Sequence, residues 1–128
     1  MKPLLLLVDD EPHIRAFLRK SVGDRLRVVE ANNGEEALLQ IQRDPPDIVV
    51  MDLEMPVMDG LVAATEMRKL PVMKDKPIMA LTGYDDDQIV AKLRKAGFTF
   101  YVRKEGDARE FVKKVLEFAG VLDGGTDE

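Results

Sequence analysis

Five short β-prone runs recur along the 128 residues and alternate with stretches of helical periodicity. The runs are Leu4 to Val8, Arg27 to Glu30, Asp47 to Met51, Ile78 to Leu81 and Phe98 to Arg103. Nearly continuous apolar runs of this length read as strands of a parallel sheet, whose two faces are both covered by crossover helices. Between them, Pro12 suits a first helical turn, and Ile14, Phe17, Leu18 and Val22 keep helical spacing up to a stop at Gly23, giving a helix over roughly 12 to 22. Asn32-Asn33-Gly34 turns the chain into a second helix with Ala37, Leu38 and Ile41 inward, which Pro45-Pro46 ends. A third helix is predicted from about 60 to 70, before Pro71. Asp85-Asp86-Asp87 places negative charge where a fourth helix begins, and Gly97 closes it. Phe111, Val112, Val115, Leu116 and Phe118 mark a final amphipathic helix. The expected organisation is one folded domain over 1–120 and a frayed tail over 121–128. Five βα pairs of this size predict an α/β fold, a doubly wound (βα)5 flavodoxin-like three-layer sandwich with sheet order 2-1-3-4-5.

That order fixes where chemistry can gather. Ligands of doubly wound sheets bind beyond the carboxyl ends of the strands at the topological switch point, here between strands 1 and 3. Asp9 and Asp10 follow strand 1, and Asp52 follows strand 3. Thr82 and Lys104 end strands 4 and 5. Carboxylates with a hydroxyl and an ammonium suit a hard divalent cation together with a phosphoryl group. Each residue alone has a plainer use: Asp9 or Asp10 as a helix cap, Thr82 as a cap for the fourth helix, Lys104 as a solvated charge. His13 reads as a surface residue of a first helical turn, and the seven methionines mostly as core filler.

Composition narrows the field. Apolar residues make up 45% and charged residues 34%, and no run approaches the roughly 20 residues of a membrane span. The apolar start is cut off by Asp9 and Asp10 before a secretory signal is complete, so a cytoplasmic protein is expected. No cysteine and one histidine exclude zinc sites built from these ligands. A net charge of -5 disfavours direct nucleic-acid binding.

Leu5-Leu6-Leu7-Val8-Asp9-Asp10-Glu11, Met51-Asp52-Leu53-Glu54-Met55-Pro56-Val57-Met58-Asp59-Gly60, Leu81-Thr82-Gly83, Tyr101 and Lys104 occur in one order and spacing that resembles the receiver domains of two-component response regulators. The resemblance covers nearly the whole chain. It implies that Asp52 accepts a phosphoryl group from a histidine kinase or phosphotransfer protein. It implies that Asp9, Asp10, Asp52 and the backbone carbonyl of Glu54 hold Mg2+ or Mn2+. Lys104 would pair with a phosphoryl oxygen, Thr82 would donate its hydroxyl, and Tyr101 would follow by changing rotamer. The outcome would be altered affinity for a protein partner at helix 4, strand 5 and helix 5, with no catalysis beyond the domain's own phosphorylation and dephosphorylation.

The chain departs from the family pattern at four places. Glu105 stands where receivers usually have proline, so the Lys104-Glu105 peptide is expected to be trans, with a shifted loop before the last helix. Arg103 adds positive charge near the site or the output face. Glu54 adds negative charge by the cleft. Gly83 leaves the position after Thr82 without a side chain, which predicts easy water entry and a short phosphoryl half-life; a long-lived adduct on the purified protein would contradict it. Two other readings stay open: a pseudo-receiver that binds partners without phosphorylation, and an aspartate-nucleophile phosphohydrolase. The second requires another aspartate two residues after the nucleophile, a spacing that Asp9-Asp10-Glu11 lacks.

Overall fold

The computed structural model describes residues 2–83 and 87–121. The strands are β1 (Leu4–Val8), β2 (Arg27–Ala31), β3 (Ile48–Asp52), β4 (Ile78–Thr82) and β5 (Phe100–Arg103), and the helices are α1 (Pro12–Val22), α2 (Gly34–Arg43), α3 (Gly60–Arg68), α4 (Asp87–Ala96) and α5 (Ala108–Phe118). All pairings are parallel, in the order β2-β1-β3-β4-β5. The doubly wound flavodoxin-like fold expected from the alternation is the fold observed.

Period-2 alternation explains why the central strands are apolar throughout. Leu6 and Val8 of β1, Val49 and Met51 of β3, and Ile78 and Ala80 of β4 face one core, where Ala37, Ile41, Ala63, Met67 and Leu93 meet them from α2, α3 and α4. The intervening Leu5, Leu7, Ile48, Val50, Met79 and Leu81 face the other, against Leu18, Val22, Phe111, Val115 and Leu116 of α1 and α5. A strand buried on both faces has no position for a polar side chain until it leaves the core. That is why the first carboxylates stand at the strand ends.

Some boundaries shift from the sequence reading. β3 begins at Ile48 because Asp47 serves as a plug: its Oδ2 accepts from the Leu4 amide at 2.8 Å and its own amide donates to the Leu4 carbonyl. β5 begins at Phe100 because Gly97 and Phe98 still donate to Leu93 and close α4. α3 stops at Arg68, and an unforeseen 3₁₀ turn follows at Pro71–Met73. Arg68 explains that turn. Its Nε donates to the Gly97 carbonyl at 2.9 Å and its Nη1 to the carbonyls of Met73 and Lys76, so one guanidinium gathers three chain segments. Two sequence expectations lie outside the described residues: the frayed tail beyond Val121, and Asp85 and Asp86 ahead of α4. Among the described residues, no helix is long and apolar enough to cross a membrane.

Candidate functional site

The β3–α3 loop folds back on the strand that it leaves. The Gly60 amide donates to the Leu53 carbonyl at 2.9 Å, and a Cβ on Gly60 would stand 2.6 Å from the Asp52 carbonyl oxygen. Only glycine allows this approach. Within the loop, Val57 adopts φ 71°, a left-handed conformation that costs a residue with a Cβ roughly 1–2 kcal/mol. The loop is thereby held tight beneath the end of β3, where Asp52 is 1% exposed.

Asp9, Asp10 and Asp52 converge as the topology predicts, each offering a carboxylate oxygen within 4.8 Å of the others. Asp9 and Asp52 are buried, and Asp10 is exposed at the mouth. Helix capping does not account for this pair. The N-cap of α1 is Glu11, whose side chain makes no capping bond, and Asp9 Oδ1 instead accepts from the Glu11 amide at 2.9 Å. The other oxygen of Asp9, Oδ2, is buried with no hydrogen-bond partner among the described residues. A buried carboxylate oxygen left unpaired is costly unless something else coordinates it.

Lys104 closes the opposite side. Its Nζ lies 2.9 Å from Asp52 Oδ1, which also accepts from the Glu54 amide at 3.2 Å. The Lys104 amide donates to the Thr82 carbonyl at 2.9 Å, continuing the β4–β5 register just past the last paired residues. Thr82 itself is buried at the end of β4. The peptide bonds are trans among the described residues, as expected for Lys104-Glu105, and the Gly106 amide bonds back to the Arg103 carbonyl at 3.0 Å to close a short turn. Lysine placement therefore does not depend on a proline.

The charges respond to this crowding. Burial is the largest influence on Asp9 and raises its pKa from 3.8 to about 6, against the bond from Glu11 and with a further push from the Asp52 charge. Asp52 is also raised, by burial, which outweighs its bonds to Lys104 and Glu54. Burial opposes the charge on Lys104, yet its bond to Asp52 and the charges of Asp52 and Asp9 together raise its pKa. The site thus holds more negative charge than its surroundings neutralise. The buried, unpaired Asp9 Oδ2 and the all-oxygen donor set fit a hard divalent cation.

The remaining candidates are placed as follows. Tyr101 of β5 is half-buried against the α2–α4 core and lines a groove of about 410 Å³ with Val90, Phe100 and Phe118, between α4 and α5. Arg103 is exposed and joins Phe17 and Lys104 along a second groove, between α1 and α5. A Cβ at Gly83 would meet no atom of the described residues within 4 Å. His13 is a surface residue, its side chain 73% exposed. Sequence reading passed over Arg15, whose guanidinium reaches the Asp9 carbonyl and Glu30. The one available signal was an arginine a turn and a half past the acid pair, with an acid at the end of β2; only the β1–β2 register brings the two together.

Comparison with known proteins agrees with this geometry. The profile of the family described as the response regulator receiver domain matches residues 5–116. The chain belongs to that family, the phosphorelay receiver modules of two-component signalling. An uncharacterized 14.6 kDa protein from Leptolyngbya boryana is 34% identical over 115 residues, 89% of this chain and 88% of that protein. Several longer relatives also match, and the chain spans only 7–34% of their length. Among solved structures, the chemotaxis protein CheY4 of Vibrio cholerae superposes with a TM-score of 0.87 at 26% identity, over 92% of this chain and 99% of that one. The receiver domain of the Pseudomonas aeruginosa sensor histidine kinase PA1611 has a TM-score of 0.81 at 27% identity, over 94% and 99% of the two chains, and carries a magnesium ion in its active-site cleft.

Proposed function

We propose that the chain is a phosphorylation switch in which Asp52 accepts a phosphoryl group from a histidine kinase or a histidine phosphotransfer protein. The observation that carries this reading is the pairing of Asp52 with Lys104 at 2.9 Å beside a buried Asp9 oxygen that no described residue satisfies. An Asp52 carboxylate oxygen forms the new O–P bond as the P–N bond of the donor phosphohistidine breaks, and the imidazole keeps the electron pair and gains a proton. Asp9, Asp10, Asp52 and the Glu54 backbone carbonyl would hold Mg2+ or Mn2+. When bound, the cation supplies positive charge against the phosphoryl oxygens. Lys104 moves from Asp52 to a phosphoryl oxygen, Thr82 donates its hydroxyl to another, and Tyr101 repacks in the groove between α4 and α5 to change affinity for a protein partner. Residues 1–120 form the receiver and 121–128 a tail. The chain acts in the cytoplasm, catalyses nothing but its own phosphorylation and dephosphorylation, and contacts neither nucleic acid nor membrane.

Incubation with acetyl phosphate is expected to add one phosphoryl mass to the intact protein with Mg2+ and none with EDTA. The adduct is expected to be cleaved by hydroxylamine, as acyl phosphates are. A stable adduct resistant to hydroxylamine would place the phosphoryl group on a hydroxyl instead. No adduct, together with no beryllofluoride binding, would favour the pseudo-receiver.

A further inference from the structure

We propose that Arg15 is a positioning residue for the cation site, holding the Asp9-Asp10 peptide in the orientation that presents both carboxylates; this rests on the cation reading above. Arg15 lies in α1, and its side chain is only 12% exposed. Its Nη1 donates to the Asp9 carbonyl and its Nε to Glu30 Oε1 at 2.8 Å. Glu30 is in turn held by Arg19, whose Nη2 lies 2.8 Å from Oε2. On the other side of Asp9, its amide donates to the carbonyl of Ala31, the neighbour of Glu30 in β2.

Asp9 is therefore fixed at every polar atom but one. Its N–H is held by β2, its C=O by Arg15, and its Oδ1 by the Glu11 amide, which leaves Oδ2 as the oxygen with no hydrogen-bond partner among the described residues. The carbonyl that Arg15 grips belongs to the Asp9-Asp10 peptide, so its orientation also sets where the Asp10 side chain starts. The bonds of Arg15 lead away from the carboxylates, toward a main-chain oxygen and Glu30. Loss of a partner that orients the ligands of a metal typically costs roughly 10–100-fold in metal affinity.

The sign of the effect separates this role from its competitors. Removing a cation beside a cation site should tighten binding if charge alone matters, because one repulsion disappears. Removing a positioning strut should weaken it. A purely structural tie between α1 and β2 would lower the melting temperature and leave the affinity of the folded protein unchanged.

The test is Mg2+ titration by calorimetry on Arg15→Met, Arg15→Lys and Arg19→Met, with melting temperatures in EDTA and with phosphorylation by acetyl phosphate at saturating Mg2+. Arg15→Met is expected to raise the Mg2+ Kd about tenfold or more, and to regain phosphorylation as Mg2+ is increased. Arg15→Lys should recover part of the affinity. Arg19→Met, which removes one of the two ion pairs on Glu30 and leaves the Arg15 bond to Asp9 in place, should weaken Mg2+ clearly less than Arg15→Met. Should Arg15→Met fail to fold, Glu30→Gln loosens the same strut with both arginines in place and should weaken Mg2+ in the same direction. Unchanged or tighter binding in Arg15→Met, or equal weakening in Arg19→Met, overturns the proposal while the parent still binds. A parent that takes up no Mg2+ overturns the cation reading itself, and the role of Arg15 with it.

Discussion

Replacing Asp52 with asparagine is expected to abolish phosphoryl uptake from acetyl phosphate in Mg2+ while leaving the protein folded. The loss should be complete, because an amide oxygen lacks the negative charge that makes a carboxylate oxygen a nucleophile toward phosphorus. Stability should not suffer. The Asp52 pKa is raised in the fold, chiefly by burial, so its stabilising contribution is present below its unfolded value and is lost as pH rises through its folded one. At neutral pH the carboxylate is a net cost, and asparagine escapes it. That net cost already includes the ion pair with Lys104, whose Nζ is partly exposed and can turn to water or to Asp9 in the variant. Intact-mass spectrometry and thermal melts on parent and variant decide the matter. Uptake that persists in Asp52→Asn would move the acceptor to another residue, with Asp9 and Asp10 next in line. A variant that melts well below the parent would show that the Lys104 pair outweighs the burial of the charge.

How much of this was legible in the sequence follows from what each kind of residue must satisfy. The central strands were readable because both faces are buried, which forces an unbroken apolar run, as Leu4 to Val8 and Ile48 to Met51 show. The site was readable for the same reason in reverse: Asp9, Asp52 and Thr82 are the polar residues at the ends of such runs, and strand order alone brings them together. The features missed depend on contacts between distant segments. Asp47 looks like a first strand residue until the Leu4 amide is seen bonded to it. The turn at Pro71–Met73 is tied by Arg68, which reaches the carbonyls of Met73, Lys76 and the distant Gly97, and no local pattern announces it. Arg15 belongs with these, since its meaning comes from a carbonyl and from a carboxylate on a different strand. The turn after Lys104 closes without proline: with Glu105 in trans, the Gly106-to-Arg103 bond completes it and the lysine reaches Asp52.

Asp9→Asn should make the metal-free protein more stable at pH 7 and insensitive to Mg2+. The Asp9 pKa rises from 3.8 to about 6, so the folded state binds its proton more tightly than the unfolded chain does. Stability from this group is fully present below about 3.8, declines as pH rises, and is gone above about 6. Near two units of pKa correspond to about 3 kcal/mol, an upper bound on what asparagine can recover, because a buried amide keeps part of the cost of leaving water. The parent in EDTA is accordingly expected to lose the stability that Asp9 contributes between about pH 3.8 and about pH 6, and Asp9→Asn to lose much less over the same interval. Magnesium reverses the ranking. A ligand that binds only the folded state adds RT ln(1 + [L]/Kd), roughly 2.7 kcal/mol at a hundredfold excess over Kd, and this gain should appear in the parent and vanish in the variant. Urea denaturation at pH 5 and pH 7, in EDTA and in Mg2+, gives the four comparisons. If Asp9→Asn in EDTA is no more stable than the parent at pH 7, the buried carboxylate is not the burden that its burial and unpaired oxygen imply. If Mg2+ stabilises both proteins equally, Asp9 is not one of its ligands. The two results are independent, since one measures the charge left unsatisfied in the apo fold and the other measures what satisfies it.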